Sequence, residues 1–306
     1  MYGGFGCTHD GDTDGGYLSD LWALNERTGK WRMVQQHGKL PQPRNWANFW
    51  ATNGGDEVWL HSGSAASSPG HHYGTPLSDM YLLTVSNGTW LQIYQRTTTD
   101  PGVNYNGSVA TRSPGYRSNS YCTVDADKLW LYGGEGGITS SNGTVLDDGD
   151  FQDVWSFNPK TRLWEHTDGP QTIGGAASYG KPGAGNATTL PPAEHAGFIF
   201  REPFERALWF FGGENGSEVR GMRGDLWAFN LSTKLWSWYS GAKTFNGTAV
   251  YGTKGVPAPT NTPGARYAGQ GWVAKGRLWT FGGYGLDAKS NAGYLSDTWA
   301  WALGSC

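Results

Sequence analysis

Three aspartates lie at alternate positions in the loop HDGDTDGG near the start of the chain: Asp10, Asp12 and Asp14, followed by Gly15. Alternating carboxylates that end in a glycine match the first half of a calcium-binding loop. Such a loop expects a bidentate glutamate six residues after the glycine, and Leu21 stands there instead. Two interpretations stay open, a Ca²⁺ site at Asp10, Asp12 and Asp14 or a solvated acidic turn. The pattern establishes no cofactor, and Ca²⁺ is the one it suggests.

Basic side chains recur in a short turn that precedes each of four apolar stretches. The turn reads Pro-x-x-Arg and ends at Arg44, Arg117 and Arg266, and we align Pro192–His195 with it, so that His195 replaces the arginine. Guanidinium groups bind carboxylates and phosphates in a bidentate manner. One interpretation is a ring of these four residues that binds an anionic or carbonyl-bearing ligand. The other, which their recurrence favours, is that each side chain holds its own turn by hydrogen bonds.

Seven Asn-x-Ser/Thr sequons indicate a secretory environment, since this sequence is the acceptor for N-linked glycans. Chance would supply one or two in a chain rich in these residues, but seven favour a secreted, extracellular or luminal glycoprotein. No signal-peptide pattern follows Met1, so this interpretation requires the chain to be a mature or excised segment. The acceptor residues are Asn87, Asn106, Asn142, Asn186, Asn215, Asn230 and Asn246.

Three cysteines are too few for a disulfide framework. Cys122 lies in the apolar stretch SYCTV and is expected to be a buried, unreactive thiol. Cys7 and Cys306 lie near the two ends of the chain. If the chain closes into a ring, a bridge between Cys7 and Cys306 would join its ends.

The overall composition excludes several classes of protein. Charged residues make up only 16%, whereas the chain has 48 Gly and 17 Trp among its 306 residues, a profile that favours short strands and tight turns over disorder. A net charge of −3 gives no basic surface for nucleic acid. No apolar run reaches the length of about 18 residues that spans a membrane.

One unit is repeated five times along the chain. Each copy has a strand that ends in Gly-Gly, a variable loop and a strand that opens on Asp-x-Trp, and in the first four copies a Trp follows nine residues further on. The second copy departs most, with Ser62-Gly63 and Tyr81 in place of Gly-Gly and Trp. The Gly-Gly and Asp-x-Trp segments begin, in order, at Tyr2 and Asp20, Val58 and Asp79, Leu129 and Asp153, Leu208 and Asp225, and Leu278 and Asp297.

With the apolar stretch after the Pro-x-x-Arg turn, each copy predicts four short strands, which we name a, b, c and d. A four-stranded antiparallel sheet exposes both faces when alone, so it must stack on copies of itself. The Asn-x-x-Thr segments that start at Asn25, Asn158 and Asn230 predict tight turns between strands c and d. Radial stacking of such sheets predicts an all-β fold, a β-propeller of four-stranded antiparallel blades. The arginine turns would then lie at one mouth of a central channel.

These segments resemble kelch repeats over essentially the whole chain. The resemblance implies a single propeller domain over residues 1–306, with repeats at about 1–40, 41–99, 100–170, 171–242 and 243–306. The first and last repeats are incomplete, because the chain opens on strand b and stops after strand c. Kelch propellers usually have more blades, which favours a segment of a longer chain or an unusual closure. Unpaired edge blades would invite a partner or a second copy.

The resemblance implies a non-catalytic interaction or adhesion module whose loops bind protein or glycan partners. Trp46 and Trp238 lie outside the repeated positions, where their rings would stack on a sugar or anchor a protein partner. A lectin-like carbohydrate binder is therefore one alternative. The other is a copper radical oxidase, an enzyme found among kelch-like propellers. We expect no enzyme, because the chain has no recognisable pair of histidines beside a tyrosine and cysteine positioned to cross-link.

Overall fold

The structure is a computed structural model, and it describes residues 1–7, 15–65, 75–94, 113–139, 145–202, 206–216 and 221–302. Apart from one short 3₁₀ turn at Asn53–Gly55, its regular elements are strands. The first fourteen are β1 (Tyr2–Gly6), β2 (Gly16–Asn25), β3 (Lys30–Met33), β4 (His37–Gly38), β5 (Arg44–Asn45), β6 (Asn48–Thr52), β7 (Glu57–His61), β8 (Ser64–Ala65), β9 (Thr75–Pro76), β10 (Met80–Thr84), β11 (Thr89–Tyr94), β12 (Arg117–Ser118), β13 (Tyr121–Asp125) and β14 (Lys128–Tyr132).

The second half of the chain continues the pattern, and no helix of the described residues is long and apolar enough to cross a membrane. Its strands are β15 (Glu135–Thr139), β16 (Val145–Asp150), β17 (Val154–Asn158), β18 (Leu163–Asp168), β19 (Phe198–Glu202), β20 (Ala207–Asn215), β21 (Gly221–Asn230), β22 (Trp236–Ser240), β23 (Arg266–Tyr267), β24 (Gln270–Ala274), β25 (Arg277–Phe281), β26 (Tyr284–Leu286), β27 (Ala292–Tyr294) and β28 (Thr298–Ala302).

Five main sheets follow one another along the chain, and each corresponds to one sequence repeat. Sheets 3 and 4 have the complete order a-b-c-d, as β13-β14-β17-β18 and β19-β20-β21-β22. Sheet 2 has the same order in β6-β7-β10-β11, with β4 added in parallel beside β11. Sheet 1 (β1-β2-β3) lacks strand a, and sheet 5 (β24-β25-β28) lacks strand d among the described residues. The predicted all-β propeller and its two incomplete repeats are confirmed.

Neighbouring sheets pack face to face through large side chains. The apolar clusters join sheet 1 to 2, 2 to 3, 3 to 4 and 4 to 5 in turn. Between sheets 3 and 4, for example, Tyr132 packs against both Phe210 and Trp236, with ring centroids about 5 Å apart (5.1 Å in each case). Such aromatic contacts supply most of the buried area in a fold built from small sheets. Strand a of each complete sheet lies next to strand a of the following one.

The paired glycines close each strand b where two repeats approach each other. Gly133 and Gly134 have φ values of 59° and 96°, in the left-handed region that favours glycine. A side chain at Gly133 would begin 2.5 Å from the carbonyl oxygen of Glu194 in the next repeat. The equivalent Gly212 approaches the carbonyl of Arg266 in the same way. Both the positive φ and the lack of room for a Cβ therefore require glycine at these positions.

Candidate functional site

The segments that lead into the inner strands are linked by backbone hydrogen bonds from one repeat to the next. Asn119 N donates to Trp46 O at 3.1 Å, Ala196 N to Asn119 O at 2.8 Å, and Ala268 N to Ala196 O at 2.7 Å. Trp46, Asn119, Ala196 and Ala268 have φ values of 54°, 54°, 56° and 55°, so they share one left-handed conformation. They therefore occupy the same position in four successive repeats, and they line the entrance to the inner strands.

This register corrects one sequence assignment. The residue two positions before the shared left-handed residue is Arg44, Arg117 and Arg266 in three repeats, and it is Glu194 in the fourth. The alignment that placed His195 with the arginines was therefore wrong by one residue. The error arose because Pro191 and Pro192 are adjacent and either can begin the turn.

The three arginines are buried and form bidentate ion pairs inside their own repeats. Arg44 donates to Asp79 at 2.6 and 2.8 Å, and Arg266 to Asp297 at 2.6 and 3.0 Å. Arg117 makes the same two contacts with Asp153. The arginine side chains are 1%, 0% and 0% exposed in chain order. This geometry favours the structural interpretation of the arginines, and direct ligand binding by them stays a prediction.

The carboxylate of each pair is the Asp that precedes strand c, and at Asp153 and Asp297 it also fixes the tryptophan two residues on. The indole Nε1 of Trp155 donates to Asp153 at 2.7 Å, and that of Trp299 donates to Asp297 at 2.8 Å. The carboxylate therefore joins strand c to the buried guanidinium and orients the indole for packing between the sheets.

The fourth repeat lacks the arginine and has a second carboxyl group in its place. Glu194 and Asp225 are each 1% exposed. Asp225 Oδ2 accepts hydrogen bonds from Tyr179 at 2.7 Å and Trp227 at 2.9 Å, but within the described ranges neither Asp225 Oδ1 nor Glu194 Oε2 has a partner. Sequence reasoning missed this site, because the alignment had placed His195 at the arginine position.

The aspartate pKa values show what the missing guanidinium changes. Burial would raise the pKa of Asp297, but hydrogen bonds from Arg266, Tyr251 and Trp299 outweigh it and lower the pKa to about 2. At Asp225 the effect of burial on the pKa is larger than the opposing effect of the hydrogen bonds from Tyr179 and Trp227, so the pKa of Asp225 is raised.

The residue after the arginine position differs in every repeat and faces a different partner each time. Each pairs across a small accessory sheet or bridge with a residue that follows strand b. These eight residues, which we call the entrance set, are the pairs Asn45 and Ser64, Ser118 and Glu135, His195 and Glu214, and Tyr267 and Tyr284. The backbone of the set repeats, whereas its side chains do not.

His195 has a fixed orientation within the entrance set. Its Nδ1 lies 2.7 Å from Asp150 Oδ1, and Gly216 N donates to Asp150 Oδ2 at 2.6 Å. The other ring nitrogen lies 3.9 Å from Glu214 Oε2. Burial opposes protonation of the ring, but the hydrogen bond and charge of Asp150 outweigh it and raise the pKa of His195. Burial also raises the pKa of Glu135. The entrance thus combines carboxyl groups with a histidine whose pKa is raised by a neighbouring carboxylate.

Tyrosine rings extend the entrance set toward solvent. The rings of Tyr267 and Tyr284 have centroids 5.7 Å apart, and those of Tyr284 and Tyr294 have centroids 5.4 Å apart. Tyr294 is 92% exposed. Amphipathic rings of this kind are common contact residues at binding surfaces.

A cavity of about 510 Å³ lies between the inner strands β13, β19 and β24. Arg201, Gln270 and Trp272 contribute side chains to its wall, and Arg201 forms an ion pair with Asp125. Cys122 also lines this cavity and is partly buried against the core. Burial raises the pKa of its thiol well above the ordinary value, as expected for an unreactive thiol.

Two tryptophans predicted as contact residues lie in different surroundings. Trp46 is 47% exposed at the entrance. Trp238 is partly buried against the Tyr179 ring, with centroids 5.5 Å apart, and the Lys243 ammonium lies 4.5 Å from the centre of its ring. Trp46 is therefore available to a partner, and Trp238 is largely engaged within the fold.

The sequons differ in accessibility. Asn87, Asn186 and Asn246 are exposed, and Asn230 is half-buried in its turn. Asn215 is only 6% exposed, and its Nδ2, the atom that would carry a glycan, donates to Ala193 O at 2.8 Å. A glycan at Asn215 is incompatible with this geometry, so that prediction is corrected.

Several predicted residues lie outside the described ranges: Asp10, Asp12, Asp14, Asn106, Asn142 and Cys306. The Ca²⁺ site and the bridge from Cys7 to Cys306 therefore stay predictions. Within the described ranges, no group of three or more His, Cys, Asp or Glu side chains is arranged to hold a metal ion.

Comparison with known proteins agrees with the repeat pattern and the fold. The solved structure of YjhT matches 99% of this chain and 77% of its own chain, with a TM-score of 0.58 and 11% sequence identity, which supports the fold alone. No curated protein sequence matches the chain. The family model for the KLHDC2/KLHL20/DRC7 Kelch-repeats domain matches residues 1–237, and the chain therefore belongs to this kelch-repeat family.

Proposed function

We propose that the protein is a non-catalytic interaction module that binds a protein partner at the entrance set, outside the cell or in a luminal compartment. The observation that carries this proposal is the separation of roles within each repeat. The recurring charged residues are buried in ion pairs, whereas the next residue along the chain varies and lies at the entrance. A rigid backbone that presents different side chains is how repeat folds build binding surfaces.

The chemistry of the entrance set suits a polar or basic protein segment. Glu135 and Glu214 supply acceptors, and Tyr267, Tyr284 and Tyr294 supply rings that contact both apolar and cationic groups. The Tyr294 ring is 92% exposed and is therefore open to contact by a partner.

Substitutions in the entrance set and at the adjoining Tyr294 are expected to weaken binding of peptides selected against the protein from a displayed random library. Glu214→Gln removes a charge and Tyr294→Ala removes a ring, so each should raise Kd at least about tenfold in calorimetric titrations. Glu26→Gln and Leu163→Ala are matched controls, since Glu26 is exposed on a c–d turn and Leu163, the first residue of β18, is 67% exposed. If all four variants bind as the original protein does, the entrance set is not the binding site.

Carbohydrate binding is the second candidate function. Exposed aromatic rings beside carboxylates stack on sugar rings and accept hydrogen bonds from their hydroxyls. Trp46 and Tyr294 supply exposed rings at or beside the entrance. A glycan array with the purified protein distinguishes this function from peptide binding.

The outward faces of the first and last sheets add a surface for self-assembly. Leu24, Trp31 and Met33 are exposed on sheet 1, and Trp272 and Phe281 are exposed on sheet 5. The equivalent positions in sheet 4 are buried between sheets, as at Trp236, which is 1% exposed. Clusters of exposed apolar side chains commonly pack against a partner.

The extracellular part of the proposal rests on the exposed sequons. Expressed through a secretory pathway, the protein should carry N-linked glycans at Asn87, Asn186 and Asn246, because these side chains are exposed. Mass spectrometry before and after enzymatic deglycosylation measures this, and each Asn→Gln variant should lose one glycan. Asn215→Gln is the control that should lose none. Complete absence of glycan from the secreted protein would contradict the proposal.

A further inference from the structure

The fourth repeat buries two carboxyl groups where its neighbours bury an ion pair. Glu194 stands in the position of Arg117 and Arg266, and Asp225 stands in that of Asp153 and Asp297. In the other repeats the guanidinium bonds to both carboxylate oxygens. In the fourth, Asp225 Oδ1 and Glu194 Oε2 are buried without a partner among the described residues. A donor is therefore missing at this position.

The charges around Glu194 do not balance if both carboxyl groups are ionised. The Arg223 guanidinium acts on Glu194 and lowers its pKa; Arg223 is 6% exposed, and its Nε has no partner among the described residues. It offsets one of the two negative charges, and burying a second uncompensated carboxylate is costly. The titratable and charged groups that face Glu194 are Asp225 and Arg223 on β21, Tyr121 on β13, Tyr132 on β14, Asp150 on β16 and Tyr179 in the segment before β19.

The Tyr121 hydroxyl, which lies close to this site, does not supply the missing donor. Tyr121 OH donates its single proton to Gly212 O at 2.6 Å. That proton is therefore not available to an ionised Glu194.

We propose that Glu194 is held as a neutral carboxylic acid in the folded protein and that its ionisation loosens the junction between sheets 3 and 4. Burial, followed by the charge of Asp225, raises the pKa of Glu194 well above its ordinary value. When the proton leaves for solvent, two buried carboxylates face each other without the guanidinium that pairs with the aspartate in the other repeats. The effect reaches the entrance set, because Glu194 precedes His195 and its carboxyl group lies beside Gly213, which precedes Glu214.

The sign of the pH dependence follows from the raised pKa. The folded protein binds this proton more tightly than the unfolded chain, so the stabilisation is complete below the ordinary glutamate pKa and is lost as pH rises through the folded pKa. Thermal melts between about pH 5 and 9 should therefore show Tm falling with pH, and Glu194→Gln should flatten that slope. Glu194→Arg should raise Tm and also flatten the slope, because it restores the pair found in the other repeats. Glu26→Gln, at an exposed site, is the control and should keep the original slope.

A direct measurement on the unsubstituted protein keeps the proposal testable if a variant does not fold. With ¹³C-labelled glutamate carboxyl groups, NMR should show one resonance that stays protonated when the others have ionised, and it should be absent from Glu194→Gln. The proposal is overturned if every glutamate ionises in the ordinary range. It is also overturned if Asp225→Asn removes the slope while Glu194→Gln keeps it, since the proton would then belong to Asp225. Neither readout needs a ligand, so both are independent of the proposed binding function.

Discussion

Replacing Arg117 with alanine is expected to lower the free energy of unfolding by about 3–5 kcal/mol, because it leaves the Asp153 carboxylate buried and unpaired. Both side chains of this pair are 0% exposed. The guanidinium also donates to the carbonyls of Pro114 and Gly133, so its loss removes the contacts that hold the turn against the end of strand b. Urea denaturation monitored by tryptophan fluorescence measures the change.

The control for this variant is an ion pair on the surface. Lys128 and Glu165 are 2.9 Å apart, with side chains 39% and 65% exposed, and Lys128→Ala should cost less than about 1 kcal/mol because water screens such pairs. In a second test, replacing Arg117 and Asp153 together with apolar residues should recover part of the loss, since no buried charge then stays unpaired. If Arg117→Ala lowers the free energy of unfolding no more than Lys128→Ala does, the buried ion pair does not stabilise the repeat.

The recurring residues could be predicted from the sequence because each of them is fixed by local geometry. The Asn-x-x-Thr turns form as expected: Asn158 Oδ1 accepts from Lys160 N at 2.9 Å and from Thr161 N at 3.3 Å. The Gly-Gly pairs adopt positive φ for the same local reason. Short-range hydrogen bonds and backbone conformation constrain residue types that are close together in sequence, so the strands and turns can be predicted from the repeated sequence.

The ion pairs and the fourth-repeat site could not be predicted in this way, because their partners are far apart in sequence. Arg117 and Asp153 are 36 residues apart. One signal in the sequence did mark the correct register: Ala-Gly occurs at Ala196-Gly197 and again at Ala268-Gly269, which places Glu194 opposite Arg266. The adjacent prolines led to the wrong alignment, whereas the residues that adopt the shared left-handed conformation identify the correct register.

The entrance set was missed for a related reason. Its members are neither motif residues nor neighbours in the chain, since Tyr267 meets Tyr284 only when the segment before strand a pairs with the hairpin after strand b. The loops between strands b and c differ in length from copy to copy, so the pairing cannot be read from a common spacing. Function in repeat folds tends to reside in such variable positions.

Replacing Trp236 with alanine is expected to lower the free energy of unfolding by about 3–5 kcal/mol, the cost of truncating a buried tryptophan. Trp236 is 1% exposed and contacts the rings of Tyr132, Phe210 and Phe229 at centroid distances of 5.1, 5.0 and 4.9 Å. Its removal would open a cavity between sheets 3 and 4 that the surrounding strands cannot fill. Denaturant unfolding measures the loss.

The matched control is Trp31, which holds the same position in the first repeat. Trp31 pairs with Leu24 across strands c and d, and Trp236 pairs with Phe229 in the same way. In both repeats the partner on strand c lies two residues after the tryptophan of the Asp-x-Trp segment. Trp31 is 52% exposed, however, and Trp31→Ala should cost less than about 1 kcal/mol. We infer that these tryptophans stabilise the protein only where they pack against a preceding sheet. Equal losses of unfolding free energy at Trp31 and Trp236 would contradict this inference. The small loss is the expectation for dilute protein, in which the outward face of sheet 1 is open; a loss at Trp31 that grows with protein concentration is the result that the self-assembly proposal predicts.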